Sequence, residues 1–98
     1  MVCKENIDNV IKILPDWSKT NDGREALNKE FIFDNFNSAF SFMTMIALKA
    51  DQLNHHPEWS NVYNRVNITI TTHDVKGMSD KDIEIGKFID NAYLKFRN

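Results

Sequence analysis

Apolar residues recur at the spacing of an α-helix in three parts of the chain. The first predicted helix carries them at Ile7, Val10, Ile11 and Leu14, and Pro15 should end it. A second helix is predicted at residues 35–53, with Asp34 as its N-cap. The third begins after Ser79, and Asp82, three residues on, makes a variant of the capping box.

The middle helix has an unusually wide apolar face. At 100° per residue, one arc of about 160° holds the residues expected to face the core, which are Phe42, Leu53, Ile46, Ala39, Ala50, Met43, Phe36, Ala47 and Phe40. Leu48 falls outside this arc, and Met45 lies almost opposite Phe36. Scattered apolar residues are common on protein surfaces, and a second contact face for another subunit is the alternative.

Alternating apolar and polar residues predict strands between these helices. Leu27, Phe31 and Phe33 share one side of a first strand, and Val66, Ile68 and Ile70 share one side of another. Short strands are also expected at residues 17–20 and 61–63. The order of elements predicts an α+β fold, with an antiparallel sheet and helices packed on one face. Residues 1–98 should form a single two-layer domain.

Charge and cysteine content narrow the classes of function. Twelve Lys and Arg against 14 Asp and Glu give a formal charge of −2, which argues against direct nucleic-acid binding. Cys3 is the only cysteine, which excludes an internal disulfide or a Cys-rich zinc module and fits a reducing compartment. Residues 1–9 lack the apolar segment of a signal peptide, and no apolar run approaches the ~18 residues of a membrane span. We expect a cytoplasmic protein, with passage into the nucleus by diffusion left open.

All three histidines fall in one stretch of the chain, at His55, His56 and His73. Pro57 disfavours helix at the residue before it, so the middle helix should end at or before His55. A bend at Pro57 can let His55 and His56 line two walls of one pocket, with Trp59 as a flat apolar surface nearby. The unperturbed pKa of histidine, ~6.5, suits both general acid and general base work near neutral pH.

Metal binding and purely structural roles are the alternatives. Three histidines can hold zinc, but adjacent histidines are poorly spaced for a chelate, and a fourth soft ligand is lacking. His56 alone would more simply support the turn before Pro57. Asp82 could act only as a helix cap, yet its position between Ile89 and Tyr93 on the helix places it within the buried arc. A buried carboxylate is costly unless paired, which favours a contact with a histidine or a polar ligand.

Several short motifs surround the histidines. They are Asp51-Gln52-Leu53-Asn54-His55-His56-Pro57-Glu58-Trp59, Asn61-Val62-Tyr63-Asn64, Ile68-Thr69, Thr72-His73, Gly77-Met78-Ser79, Asp82-Ile83 and Phe88-Ile89, preceded by Asp34-Asn35-Phe36-Asn37. A His-His-Pro triplet alone would be a weak signal, but the combination is specific. Over roughly residues 31–90 the chain resembles the pterin-4a-carbinolamine dehydratases.

The resemblance implies a hydro-lyase that dehydrates 4a-hydroxytetrahydropterin to quinonoid dihydropterin in tetrahydrobiopterin recycling, with no cofactor and no metal. The catalytic residues would be His55, His56 and His73. The candidate substrate-binding residues are Asn54, Trp59, Thr71, Thr72, Asp74 and Asp82. Asn54 stands where many relatives carry Asp, and it cannot act as a base. Val75 replaces a cysteine found in some relatives, which should not affect the chemistry.

The resemblance also implies a homotetramer and an alternative function. Animal members of the family act as dimerisation cofactors of a homeodomain transcription factor, through a helix that otherwise makes the homotetramer. The corresponding stripe in this chain is Phe40, Thr44, Leu48 and Asp51. A protein-interaction module is therefore the second hypothesis for function.

Overall fold

The computed structural model describes residues 2–96. Three helices and six strands follow one another as β1 (Lys4–Glu5), α1 (Ile7–Ile13), β2 (Ser18–Lys19), β3 (Leu27–Ile32), α2 (Phe36–Leu53), β4 (Glu58–Val62), β5 (Arg65–Ile70), β6 (Met78–Ser79) and α3 (Asp80–Leu94), with a 3₁₀ turn at His73–Val75 between β5 and β6. The three predicted helices are present. The strand expected at residues 61–63 is longer and begins earlier, at Glu58.

Four strands form one antiparallel sheet in the order β2-β3-β5-β4. The central strand β5 pairs with β3 along its whole length and with β4 on its other side. A separate pair, β1 with β6, was not predicted, because two-residue strands leave no periodic signal. It ties residues 4–5 to the segment that leads into α3.

The apolar side of the sheet packs against all three helices. Buried residues of β3 and β5 meet those of the helices in one cluster, which includes Leu27, Phe31, Val66, Ile68, Ile70, Val10, Leu14, Phe42, Ile46, Ile85 and Ile89. On the other side of the sheet, Asn28 donates a side-chain hydrogen bond to Asn67 and another to Thr69. The predicted α+β fold, with helices on one face of an antiparallel sheet, is therefore confirmed.

The buried face of α2 is narrower than the predicted arc. Its fully buried residues are Ala39, Phe42, Ile46 and Ala50. Phe36, Phe40 and Ala47 are exposed, contrary to the prediction. Met45, predicted to point away from the core, is half-buried and packs against it. The reason is that α2 contacts α3 as well as the sheet, so its buried stripe is turned towards that helix.

Both ends of α2 are set by asparagine. Asn35, rather than the predicted Asp34, is the N-cap, and its Oδ1 accepts the backbone N–H of Ser38 at 2.8 Å. The helix ends at Leu53, and Asn54 takes a left-handed conformation with φ of 50°. Asparagine tolerates this conformation better than most residues. The chain thus leaves the helix before His55, as predicted.

No helix within residues 2–96 has both the length and the apolar character needed to cross a membrane.

Candidate active site

The three histidines lie around one open cavity of about 310 Å³. Its lining consists of Asn54, His55, His56, Thr71, Thr72, His73 and Asp74. The segment that follows α2 supplies the first three residues, and the segment that follows β5 supplies the others. The left-handed Asn54 and the following Pro57 turn the chain so that two adjacent histidines border the same space.

His55 is anchored by a fully buried carboxylate. Its Nε2 lies 2.7 Å from Oδ1 of Asp82, and only 11% of the His55 side chain is exposed. Where Nε2–H donates to the Asp82 carboxylate, Nδ1 is the ring nitrogen left to exchange a proton. Asp82 is not among the residues that line the cavity. Asp82 instead contacts His55, one of the two kinds of partner that its inward position indicated.

A chain of hydroxyl groups completes the partners of Asp82. Its Oδ2 accepts the backbone N–H of Ser79 at 2.9 Å and the hydroxyl of Thr72 at 2.6 Å. The Thr72 and Ser79 hydroxyls are 2.7 Å apart, and Ser79 Oγ also accepts the backbone N–H of Lys81. Because Thr72 donates to Asp82, Ser79 donates to Thr72. Asp82 thus caps α3 and orients His55 at once, which joins the two roles that the sequence left as alternatives.

His73 is held in a different way, at the exposed side of the cavity. Its side chain is 80% exposed, and its Nε2 lies 3.7 Å from Oε2 of Glu58. Arg24 donates to both oxygens of Glu58, at 2.8 and 3.0 Å, and its Nε donates to Asp22. These hydrogen bonds from Arg24 are the main reason why the pKa of Glu58 lies below its usual value, and the nearby His73 lowers it further.

A second cavity of about 400 Å³ adjoins the first. It is lined by Gly23, Arg24, Glu25, Thr71, Thr72, His73 and Lys76. Thr71, Thr72 and His73 border both cavities, so His73 stands on the rim between them. Sequence reasoning missed Arg24 as a neighbour of the site. The contact joins positions 34 residues apart, for which a single sequence carries no local signal.

The other candidates divide between the cavity and the core. His56 Nε2 lies 3.1 Å from Oδ1 of Asp51 in an exposed pair. Trp59 pairs with Ile68 in the sheet, and both lie on the side that packs against the helices. Trp59 therefore packs against the core and is absent from the lining of either cavity, because strand parity turns it inward. Within residues 2–96, no three His, Cys, Asp or Glu side chains are arranged to hold a metal ion.

Comparison with known proteins agrees with this geometry. The family model described as pterin 4 alpha carbinolamine dehydratase matches residues 2–92. A protein of Burkholderia cenocepacia strain HI2424 that carries the name pterin-4-alpha-carbinolamine dehydratase is 53% identical over 79 residues, or 81% of this chain and 76% of its own. A Burkholderia multivorans protein of the same name is 53% identical over 77 residues, or 79% of this chain and 74% of its own.

A solved structure has the same fold. It is the crystal structure of a transcriptional coactivator/pterin dehydratase from Brucella melitensis, with a TM-score of 0.84 and 40% sequence identity. The match covers 89% of this chain and 92% of the other. Family match, sequence identity and fold agree over most of the chain. This chain therefore belongs to the pterin-4a-carbinolamine dehydratase family and is a dehydratase, a hydro-lyase.

Proposed function

We propose that this chain converts a 4a-hydroxytetrahydropterin to a quinonoid dihydropterin by general acid and base catalysis from its histidines. The observation that carries the proposal is the placement of His55, His56 and His73 around one cavity. A volume of about 310 Å³ lies at the lower end of the range usual for small-molecule sites, about 300–1,000 Å³. No cofactor is required for this reaction.

The chemistry needs one acid and one base. The hydroxyl on C4a leaves as water after it takes a proton from the acid, and the base removes the proton on N5 as the C4a–N5 bond becomes double. An imidazole serves in either role near neutral pH. We assign the two roles to His55 and His73, without deciding which is which, and a mainly substrate-binding role to His56.

Contacts to the pterin come, in this proposal, from the polar residues that share the cavity. Asn54, Thr71, Thr72 and Asp74 line it beside the histidines and supply hydrogen-bonding groups there. The Thr72 hydroxyl is committed to Asp82, so its contribution is through the backbone. Asp82 acts through His55, and Trp59 supports the site from the core.

The reaction is tested with an ultraviolet assay that supplies 4a-hydroxytetrahydropterin from an aromatic amino acid hydroxylase. The chain should accelerate dehydration over buffer, and replacing His55 or His73 by Ala should lower kcat by about 10²–10⁴-fold. His56→Ala should act mainly on KM. Asn91→Ala is the control, because Asn91 lines a separate cavity that shares no residue with the histidine site. A rate equal to that in buffer would contradict the proposal.

We further propose that this activity serves tetrahydrobiopterin recycling in the cytoplasm, with the nucleus as a second possible location. The quinonoid product would need a separate reductase. Cys3 is a free, exposed thiol, which fits a reducing compartment.

We also propose a homotetramer that uses the exposed side of α2. The Phe36 and Phe40 rings lie on that side, tilted by 35° with centroids 5.7 Å apart, and Leu48 is 65% exposed. Exposed apolar groups of this kind are typical of contact surfaces. A protein partner that docks on the stripe Phe40, Thr44 and Leu48 is the alternative, and the coactivator part of the Brucella melitensis name fits it.

Light scattering tests the assembly. Leu48→Glu should reduce the mass of the wild-type oligomer, because a buried carboxylate in an apolar interface is costly. Leu94→Glu is the matched control, since Leu94 is similarly exposed on α3, at 62%. A monomeric wild type, or an unchanged mass for Leu48→Glu, would count against this interface.

A further inference from the structure

Each histidine has a carboxylate near the same ring nitrogen. Nε2 lies 2.7 Å from Asp82 in His55, 3.1 Å from Asp51 in His56 and 3.7 Å from Glu58 in His73. A carboxylate at one ring nitrogen fixes which nitrogen carries the proton, and it also fixes the orientation of the ring. The distance from Nε2 to the carboxylate is longest in the His73–Glu58 pair. The placement of Glu58 therefore decides how well the His73 ring is oriented.

The backbone around His73 is hydrogen-bonded across a turn, whereas its side chain is largely exposed. Thr72 and Gly77 exchange two backbone hydrogen bonds across the turn, at 2.7 and 3.2 Å. The imidazole itself is 80% exposed, and within residues 2–96 its ion-pair partner is Glu58. An exposed ring on a rigid turn keeps its rotational freedom unless a neighbouring group restricts it.

Glu58 is itself held in place by Arg24. Two guanidinium nitrogens donate to its two oxygens, and the third donates to Asp22, so all three nitrogens of Arg24 are engaged. Such a two-point contact fixes the plane of a carboxylate as well as its position. Hydrogen bonding from Thr20 and Arg24 also lowers the pKa of Asp22 to about 2, which keeps the outer partner of Arg24 charged.

We propose that Arg24 and Glu58 are positioning residues for His73. Arg24 holds Glu58 in place, and Glu58 accepts a hydrogen bond from Nε2–H of His73 when substrate fills the cavity. Hydrogen bonds in empty sites are often long and shorten in the substrate complex. The Nδ1 atom of His73 is then free to exchange a proton, as Nδ1 of His55 is. The same contacts place Arg24 at the second cavity, against the rim that His73 shares.

The inference deepens the proposed function and rests on it, because Glu58 acts only through His73. A double-mutant cycle separates the two claims. Glu58→Gln should lower kcat by about tenfold or more with little change in KM, since a misplacement of about 1 Å can cost about 10²-fold. In the His73→Ala background, Glu58→Gln should change kcat by less than about twofold. Arg24→Gln should reproduce the Glu58→Gln result.

The control is Asp8→Asn, which also removes an exposed, ion-paired carboxylate. Oδ1 of Asp8 lies 3.0 Å from Nζ of Lys19. This variant should leave kcat unchanged, and circular dichroism should show every variant folded. A structural readout comes from nuclear Overhauser contacts between the His73 ring and the Glu58 side chain. These contacts should be present in the wild type and in Asp8→Asn, and they should be lost or weakened in Arg24→Gln.

The outcomes are distinguishable. An unchanged kcat in His73→Ala would overturn the role of His73 in the proposed function, and this inference with it. A normal loss in His73→Ala, combined with an equal effect of Glu58→Gln in both backgrounds, would overturn the inference alone. An unchanged kcat in Arg24→Gln, with the Overhauser contacts intact, would also overturn it.

Discussion

His55 and His73 line the same cavity, yet their side chains are held in opposite ways. His55 is 11% exposed and rests on a fully buried carboxylate whose partners include Thr72 and Ser79. His73 is 80% exposed and rests on Glu58, whose own support from Arg24 lies at the surface. Both arrangements direct a carboxylate to Nε2, one through buried hydrogen bonds and the other through exposed ion pairs.

The two arrangements differ in how much a substitution should lower the stability of the fold. Buried polar networks are stabilising only when every member has a partner, and within residues 2–96 no buried side-chain N or O atom lacks one. If His55 has the proposed catalytic role, its side of the site joins catalysis to folding, since a change there leaves buried groups unpaired. Exposed ion pairs contribute little to stability. The His73 side can therefore be altered with the fold intact.

The largest effect is expected from Asp82→Ala. The change removes the capping box of α3 and leaves Thr72, the Ser79 amide and His55 without their acceptor. Loss of the cap and of buried hydrogen bonds should lower the free energy of unfolding by about 3 kcal/mol or more, measured by urea denaturation. Asp80→Ala, which loses a contact to the Cys3 amide at the surface, should cost clearly less. Equal stability of the two variants would contradict the account.

A smaller effect is expected from Thr72→Val, which keeps the shape of the side chain and removes its hydroxyl. Asp82 loses one donor and the Ser79 hydroxyl loses its acceptor. Unfolding free energy should fall by about 1–3 kcal/mol, and kcat should fall through the loosened His55. The control is Ser41→Ala, because the Ser41 hydroxyl donates to Asn37 Oδ1 on the exposed surface of α2, outside the proposed contact stripe. A similar, small loss of unfolding free energy in both variants would mean that burial of the Thr72–Asp82 network does not determine its contribution to stability.

The smallest effect on stability is expected at Glu58. Its pKa is depressed in the folded chain, chiefly by the hydrogen bonds from Arg24, so ionised Glu58 stabilises the fold above its unfolded pKa, near the usual 4.5. That contribution is lost as the pH falls through the lower, folded value. The stability difference between wild type and Glu58→Gln should be constant from neutral pH to about pH 5 and should vanish in stronger acid. A difference that grows in acid would contradict the sign of the shift.

Local signals in the sequence predicted the surroundings of His55 better than those of His73. Ser79 and Asp82 lie three residues apart and form a recognisable capping box, and the inward position of Asp82 indicated a buried partner. Pro57 indicated where α2 ends. Each of these signals operates within a few residues along the chain.

The remaining contacts depend on tertiary packing. Arg24 and Glu58 meet because the loop before β3 and the start of β4 lie near each other in the fold, which a single sequence does not reveal. The orientation of α2 escaped prediction for a similar reason. Met45 is half-buried because α2 packs against α3 as well as the sheet, and a helical wheel treats each helix alone.

The central claim is that two differently held histidines share one chemical task. The most direct measurement is the dehydration rate of the double variant His55→Ala/His73→Ala, with circular dichroism and light scattering on the same sample. The account predicts a nearly inactive protein that keeps its fold and its oligomeric mass. Dehydration at the wild-type rate by a folded double variant would contradict it.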